Sequence, residues 1–199
     1  HLGVAPELTI IKERTTADIW VVQNVYSGFG NYMTLHTDSA SATTGSNFIT
    51  SVNSTAVTMN ENAVNNEDGN AFMMYSFASK QGYSKIGTYT GNGNATLGTY
   101  VHLGFSPAMV IIKRTNASGE GWSIFDNKRS PHNVMSNELR ADVTSAEATS
   151  NHQIDFYSNG FKPKGSTVTG INGSGDTYLY YAVAESPLVN SNGIPTTAK

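Results

Sequence analysis

The sequence predicts an all-β protein built from two tandem modules of the β-sandwich, jelly-roll type. The chain repeats itself after roughly 100 residues, a period that fits whole modules better than a solenoid. Its apolar residues occur in short β-branched and aromatic runs separated by turn residues. Only 14% of its 199 residues are charged, while Gly, Ser, Thr and Asn are abundant. This composition suits short strands and turns, and it disfavours long surface helices.

The internal repeat is the strongest of these signals. Residues 1–12 align with residues 102–113 at an offset of 101, and seven of the twelve positions are identical. The two tryptophans align at an offset of 102, and residues 71–78 align with residues 177–184 at an offset of 106. The apolar runs therefore keep their alignment while the loops between them take up insertions. We expect two whole domains or two halves of one pseudo-symmetric sandwich.

The repeat also sets the predicted domain boundaries. The first module covers residues 1–83, the second covers residues 84–186, and residues 187–199 form a C-terminal tail. The second module opens with the strand-like stretch 84–101, which has no counterpart before His1. Either the first module borrows its missing strands or the native chain extends upstream, and the second alternative is favoured.

Short apolar runs mark the predicted strands. They are Leu8–Arg14, Ile19–Val25, Asn47–Thr50, Ala71–Ala78, Lys85–Thr90, Leu97–Val101, Met109–Thr115, Trp122–Asp126, Gln153–Tyr157 and Tyr178–Val183. The last of them is apolar on both alternating faces, which is typical of a central strand. Ser136–Ala148 is rich in poor helix formers, so we predict a loop there.

Charge and composition exclude several classes of function. The net charge is −3, and the densest basic segments are only the pairs Lys113-Arg114 and Lys128-Arg129, so we expect no nucleic-acid partner. No run of apolar residues is long enough for a membrane-spanning helix, so no membrane partner is expected. The absence of cysteine rules out disulfides and thiolate metal sites.

No catalytic or metal-binding motif is recognisable. The five histidines lack the spacing of a zinc pair, so we predict neither a metal site nor a cofactor: His1, His36, His102, His132 and His152. A glycosidase needs two facing carboxylates, for which the second copy offers candidates by count alone: Glu138, Asp142, Glu147 and Asp155. The first copy lacks most of these acids. We therefore predict that the chain is not an enzyme, and a polysaccharide depolymerase remains an alternative.

Aromatic residues near amide side chains suggest a sugar-binding surface. Trp122 repeats Trp20, which favours a place in the core for both. Tyr89 is followed by a glycine- and asparagine-rich turn, and it is the better candidate for an exposed stacking ring. The predicted ligand-binding residues are therefore Tyr89, Asn92 and Asn94, whose amides would hydrogen-bond sugar hydroxyls.

Three segments carry a resemblance to a known kind of protein. They are Ala78–Gly93 (ASKQGYSKIGTYTGNG), Leu103–Arg114 (LGFSPAMVIIKR) and Phe156–Phe161 (FYSNGF). Together they resemble a module of uncharacterised virion structural and tail-fibre-like proteins of tailed phages, notably marine ones. The resemblance covers residues 84–186 well and residues 1–83 more loosely, and the ending 186–199 also resembles the terminal tail of such proteins.

The resemblance implies a concanavalin-like sandwich fold and a phage virion structural protein. The expected place is a fibre, an appendage or the capsid surface, exposed on the extracellular particle. The implied partners are other virion proteins, further copies of the chain in a homo-oligomer, and a cell-surface glycan of the host. A carbohydrate-binding adhesin is the alternative, and the resemblance supplies no catalytic residue.

Overall fold

A computed structural model describes residues 2–43, 48–165 and 169–187. This described part is all-β, as predicted, with fifteen strands and one helix of four residues. The chain divides into two compact units, His1–Ala78 and Ser79–Lys199. Within the described residues, no helix has the length and apolar character needed to cross a membrane.

The first unit contains a five-stranded antiparallel sheet and a two-stranded hairpin. Its strands are β1 (Leu8–Glu13), β2 (Trp20–Asn24), β3 (Asn31–Thr34), β4 (Ala42–Thr43), β5 (Ile49–Val52), β6 (Val57–Met59) and β7 (Phe72–Phe77). The sheet order is β4-β3-β2-β1-β7, while β5 and β6 pair with each other. Ile11 and Val21 extend from the sheet into a core that Phe48 and Ile49 complete. The strand β7 therefore lies at an edge of its sheet.

The second unit contains one eight-stranded antiparallel sheet. Its elements are β8 (Ser84–Thr90), β9 (Val101–His102), β10 (Pro107–Arg114), β11 (Trp122–Asp126), β12 (Met135–Arg140), β13 (Ala148–Tyr157), β14 (Gly160–Lys164), α1 (Thr169–Asn172) and β15 (Thr177–Ala184). The sheet order is β8-β15-β10-β11-β12-β13-β14-β9. Strand β15 thus lies between two neighbours, as its two apolar faces predict.

The sequence repeat corresponds to the same strand register in both units. Ile10 lies opposite Val22 on β2 and Tyr75 on β7. Its counterpart Ile111 lies opposite Ile124 on β11 and Tyr181 on β15. Every one of these pairs is related by the offsets read from the sequence. The triplet β7-β1-β2 is therefore the counterpart of β15-β10-β11.

Two stretches of the second unit differ from the sequence prediction. Residues 135–140, partly predicted as loop, form β12, because pairing with β11 and β13 and the burial of Met135 outweigh weak local propensity. Of the predicted strand Leu97–Val101, only Val101 joins the sheet, as part of β9. Side chains of Asn92 and Asn94 hold the loop backbone at Leu97 instead.

The described residues do not include either end of the chain. His1 lies outside the described residues, as do residues 188–199, so the predicted tail 187–199 is described only at Pro187.

Candidate functional site

Tyr89, the predicted sugar-stacking ring, lies inside the second unit. Tyr89 is only 8% exposed, and its ring stacks on that of Tyr178 with 5.0 Å between the centroids. Its hydroxyl donates a hydrogen bond to the carbonyl oxygen of Ile171 at 2.5 Å. Burial, with a smaller contribution from Tyr178, raises the pKa of Tyr89 well above its ordinary value. The expectation of an exposed ring is therefore wrong, because a sugar can stack only on a ring face that solvent reaches.

A glycine two residues earlier explains this burial. Gly87 and Tyr89 lie on the same face of β8, because side chains alternate along a strand. A Cβ atom at Gly87 would lie 2.7 Å from the hydroxyl oxygen of Tyr180. The glycine lets the Tyr180 ring lie across β8, where it also meets Tyr89 at a centroid distance of 6.3 Å. The Gly-x-Tyr spacing was the sequence signal that could have placed Tyr89 in the core.

Asn92 and Asn94, the other two predicted ligand-binding residues, hold their own loop together. Asn92 Nδ2 donates to the carbonyl of Leu97 at 2.8 Å, and Asn92 Oδ1 accepts from Asn172 Nδ2 at 2.8 Å. Asn94 Oδ1 accepts from the backbone N–H groups of Thr96 and Leu97 at 3.0 and 2.7 Å. The structure therefore brings the two asparagines together, since the Asn94 N–H donates to Asn92 Oδ1, and both stabilise the loop after β8.

A buried polar cluster in the same unit contains one of the predicted acids. Glu138 and His152 are both buried beside the apolar core. Glu138 Oε1 accepts from Ser123 Oγ at 2.5 Å, lies 3.2 Å from His152 Nδ1 and accepts from Arg140 Nε at 3.3 Å. A single carboxylate thus holds three side chains from three strands.

Glu120 completes this cluster from the other side of the histidine. Its Oε2 atom lies 3.7 Å from Arg140 Nη2 and 3.8 Å from His152 Nε2, and its Oε1 atom accepts from Thr169 Oγ1 at 3.0 Å. Two carboxylates therefore flank one imidazole, and the Arg140 guanidinium lies close to both. In the first unit, the matching positions of Ser123, Glu138 and Arg140 hold Val21, Tyr32 and Thr34.

The four predicted acids do not form a facing pair across an open cleft. Asp142 accepts from the backbone N–H of Trp122, Glu147 pairs with Arg129, and Asp155 pairs with Lys164. Glycosidase carboxylates need to flank a substrate, whereas Glu138 is enclosed by its partners. Among the described residues, no group of three or more His, Cys, Asp or Glu side chains could hold a metal ion.

A polar cleft of about 450 Å³ is a better candidate for ligand binding. It lies where the loop between β11 and β12 meets the start of β10 and the end of β13. The lining side chains that matter for recognition are Ser106, Asn127, Lys128, His132, Phe156 and Glu185. A half-buried phenyl ring next to hydroxyl, amide and charged groups offers an apolar ring surface beside hydrogen-bonding partners.

Hydrogen bonds to Asp126 fix the wall of this cleft. Its Oδ1 atom accepts from the backbone N–H groups of Lys128 and Arg129, both at 2.9 Å, and its Oδ2 atom accepts from Arg129 Nε at 2.5 Å. Burial by itself would raise the pKa of Asp126, but the hydrogen bonds from Arg129 and Lys128 hold it below its ordinary value. The loop therefore starts from a rigid turn that points Lys128 to the cleft.

Two asparagines, Asn127 and Asn133, line the cleft. Asn133 pairs with the backbone of Phe156, donating from Nδ2 to its carbonyl at 2.8 Å and accepting from its N–H at 2.9 Å. Asn127 Oδ1 is buried and makes no hydrogen bond with any other described residue. An unpaired buried acceptor carries an energetic cost, and because solvent does not reach Asn127 Oδ1, a ligand hydroxyl or amide would donate to it only after the Asn127 side chain rotates towards the cleft.

The loop that lines the cleft is longer than its counterpart in the first copy. Val22 and Ile124 align at an offset of 102, while Met33 and Leu139, on the following strands, align at an offset of 106. The four additional residues of the second copy therefore fall between β11 and β12. In the sequence this insertion appears only as a change of offset, which does not reveal the cleft.

Comparison with known proteins gives one family and no individual relative. The model of a family described as a domain of unknown function (DUF7483) matches residues 1–187. No curated protein and no solved structure matches the chain significantly.

Proposed function

The chain belongs to the family described as a domain of unknown function (DUF7483), and we propose that it is a structural protein of a phage virion. Its place is a fibre, an appendage or the capsid surface, where it contacts other virion proteins, further copies of itself and the host surface. The proposal includes a concanavalin-like, jelly-roll sandwich for each module. Support comes from the resemblance of residues 84–186 and from the tandem all-β units built without cysteine.

A carbohydrate-binding adhesin, free or carried by the particle, is the second candidate. The observation that favours it is the polar cleft of the second unit, which is lined by the loop that is longer in the second copy. Loops on a rigid β scaffold are where binding residues concentrate. In this proposal the Asn127 side chain rotates to accept from a sugar hydroxyl, another hydroxyl contacts Lys128, and a sugar face lies on Phe156.

A glycan array with the labelled chain tests the binding role. We expect selective retention of some glycans, without shortening of the glycan chains. Asn127→Ala should weaken retention roughly tenfold or more, the loss of about 1.4 kcal/mol that one good polar contact supplies. The backbone N–H of Asn127, which donates to the carbonyl of Ala108, is unchanged in this variant.

Asn94→Ala is the matched control, because it removes the same amide from the loop after β8. Retention that survives Asn94→Ala and fails with Asn127→Ala assigns binding to the cleft, and the reverse pattern would return it to the predicted site at Tyr89, Asn92 and Asn94. Absence of any retention would contradict the adhesin role. Shortening of the glycan chains would instead indicate that the chain is a polysaccharide depolymerase.

The virion role has a separate test. Mass spectrometry of purified phage particles should detect this chain in a fixed ratio to the other structural proteins. A chain found only in the lysate, and never in washed particles, would contradict the structural role whatever the glycan array shows.

A further inference from the structure

Strand β7 presents backbone groups at the edge of its sheet. Arg14 N–H donates to the carbonyl of Ala71 at 2.7 Å, which makes these two residues a hydrogen-bonded pair of the β1–β7 ladder. In an antiparallel ladder the direction of the backbone groups alternates along the strand. The N–H and C=O groups of Phe72, Met74 and Ser76 therefore point away from β1. The described part of the first unit has no strand beyond that edge.

The second unit shows which strand belongs beside this edge. At the counterpart positions on β15, Tyr178, Tyr180 and Ala182 lie opposite Tyr89, Gly87 and Lys85 of β8. The ladder continues at both ends, since Gly91 N–H donates to Asp176 and Ala184 N–H donates to Tyr83. The outward N–H and C=O groups of β15 are thus paired along the whole of β8. Strand β7 presents its own outward backbone groups at the equivalent positions.

A groove runs beside the outward edge of β7. It has a volume of about 370 Å³ and is lined by Leu2, Val4, Met74, Ser76 and the turn between β5 and β6. Leu2 is 47% exposed, Val4 is 50% exposed and Met74 is 39% exposed. Exposed apolar side chains that line one groove mark a binding surface.

The counterparts of these three side chains are buried. Leu103, Phe105 and Tyr180 are 6%, 5% and 4% exposed, and they belong to the same apolar core as Tyr89 of β8. At Met74 the groove therefore corresponds to the place in the second unit where Tyr180 contacts Gly87 and Tyr89 of β8. An aromatic residue on an added strand would fill it.

We propose that the groove along β7 binds an extended polypeptide strand of the β8 type, supplied by a partner chain. The strand adds antiparallel to β7, with a small residue opposite Met74 and an aromatic residue two positions later, opposite Phe72. The ring of this added aromatic residue enters the groove. Addition of a strand to an open sheet edge is an established mode of peptide recognition. The inference stands on the geometry of the first unit and does not depend on the virion role.

Pairing of β7 with β7 of a second copy is the less favourable occupant. A symmetric antiparallel pair would place the side chains of Met74 and its neighbours against one another. On β8, in contrast, a glycine lies opposite the counterpart Tyr180. The small residue makes room for the bulky side chain of the acceptor strand, and β7 has no glycine to do so.

Fluorescence anisotropy with the full chain tests the proposal. The probe is a labelled peptide with the sequence of residues 82–92, GYSKIGTYTGN. We expect saturable binding that Met74→Lys weakens roughly tenfold or more, equivalent to about 1.4 kcal/mol. Met73→Lys is the matched control. Met73 is 41% exposed, which is similar to Met74, but its side chain lies on the opposite face of β7. This control variant should bind as the unmodified chain does.

Hydrogen exchange locates the bound peptide. Binding should slow exchange of the Met74 and Ser76 amides, and replacing the peptide's tyrosine that corresponds to Tyr89 with serine should weaken it. Absence of binding, or equal weakening by Met73→Lys and Met74→Lys, would overturn the proposal. Concentration-dependent self-association of the chain alone that Met74→Lys abolishes would assign the groove to a second copy instead.

Discussion

His152 Nδ1 lies 3.2 Å from Glu138 Oε1, and both side chains are almost completely removed from solvent. The same carboxylate oxygen accepts hydrogen bonds from Ser123 and Arg140. A buried carboxylate is tolerated because such partners replace its hydration. Since Val21 occupies the place of Ser123 in the first unit, the shared fold does not require this cluster.

The first prediction follows from that buried carboxylate. Glu138→Ala leaves Ser123, Arg140 and His152 without their common acceptor, so we expect the second unit to lose about 3 kcal/mol of stability. Native-state hydrogen exchange of β12 and β13 amides measures this loss within the unit. The exposed Glu61→Ala should change stability by less than about 0.5 kcal/mol. Equal effects of the two substitutions would contradict a structural role of the cluster.

The second prediction concerns pH and the turn at Asp126. The folded-state pKa of Asp126 is lowered, so its contribution is fully present above the unfolded value of about 3.9 and is lost as pH falls through the lower folded value. Asp126→Asn should therefore destabilise the chain near neutral pH, and the difference should shrink as the solution is acidified below about pH 4. Denaturant unfolding at several pH values measures the difference.

A difference that stays constant down to strongly acidic solution would show that the charge of Asp126 is not what the turn requires. Asp68→Asn provides the control, since Asp68 is exposed in the first unit. Its substitution should change stability near neutral pH by less than about 0.5 kcal/mol.

The third prediction tests the packing of the loop after β8. A Cβ atom at Gly98 would lie 1.8 Å from the carbonyl oxygen of Pro163 and 2.9 Å from its carbon, both of which are backbone atoms. Because backbone cannot rotate away as a side chain can, Gly98→Ala should cost about 1–3 kcal/mol. Thermal unfolding measures the loss, and Thr96→Ala at an exposed position of the same loop should have little effect. Unchanged stability of Gly98→Ala would mean that the loop does not pack on β14.

The repeat let the sequence predict the all-β class and the main hairpins correctly. The offsets follow apolar runs such as those around Ile10 and Ile111, and cross-strand register is set by those same side chains. Strand β12 was missed because its polar sequence gains its place from pairing and from burying Met135, which local propensity does not register.

The candidate site was harder to predict than the fold. Tyr89 looked exposed because it precedes a turn, whereas its burial depends on Gly87 and on rings contributed by β15, distant in the sequence. An insertion in the second copy was visible in the sequence as a change of offset between Trp20 and Ala71, and the strand registers place it between Val22 and Met33. The cleft itself was not visible in the sequence, because Phe156 and Glu185 lie next to this loop only in the folded protein.

The last prediction separates a structural Tyr89 from a ligand-binding one. Tyr89→Phe removes the hydroxyl that donates to the Ile171 carbonyl but keeps the ring that stacks on Tyr178, so we expect a loss of about 1 kcal/mol. Glycan retention should be unchanged, because the ring faces the core and the proposed cleft lies in other loops. Tyr83→Phe, at an exposed ring, should change neither quantity. Loss of retention by a Tyr89→Phe chain of unaltered stability would show that this tyrosine contacts the ligand, and the cleft beside Asn127 would then no longer be the site.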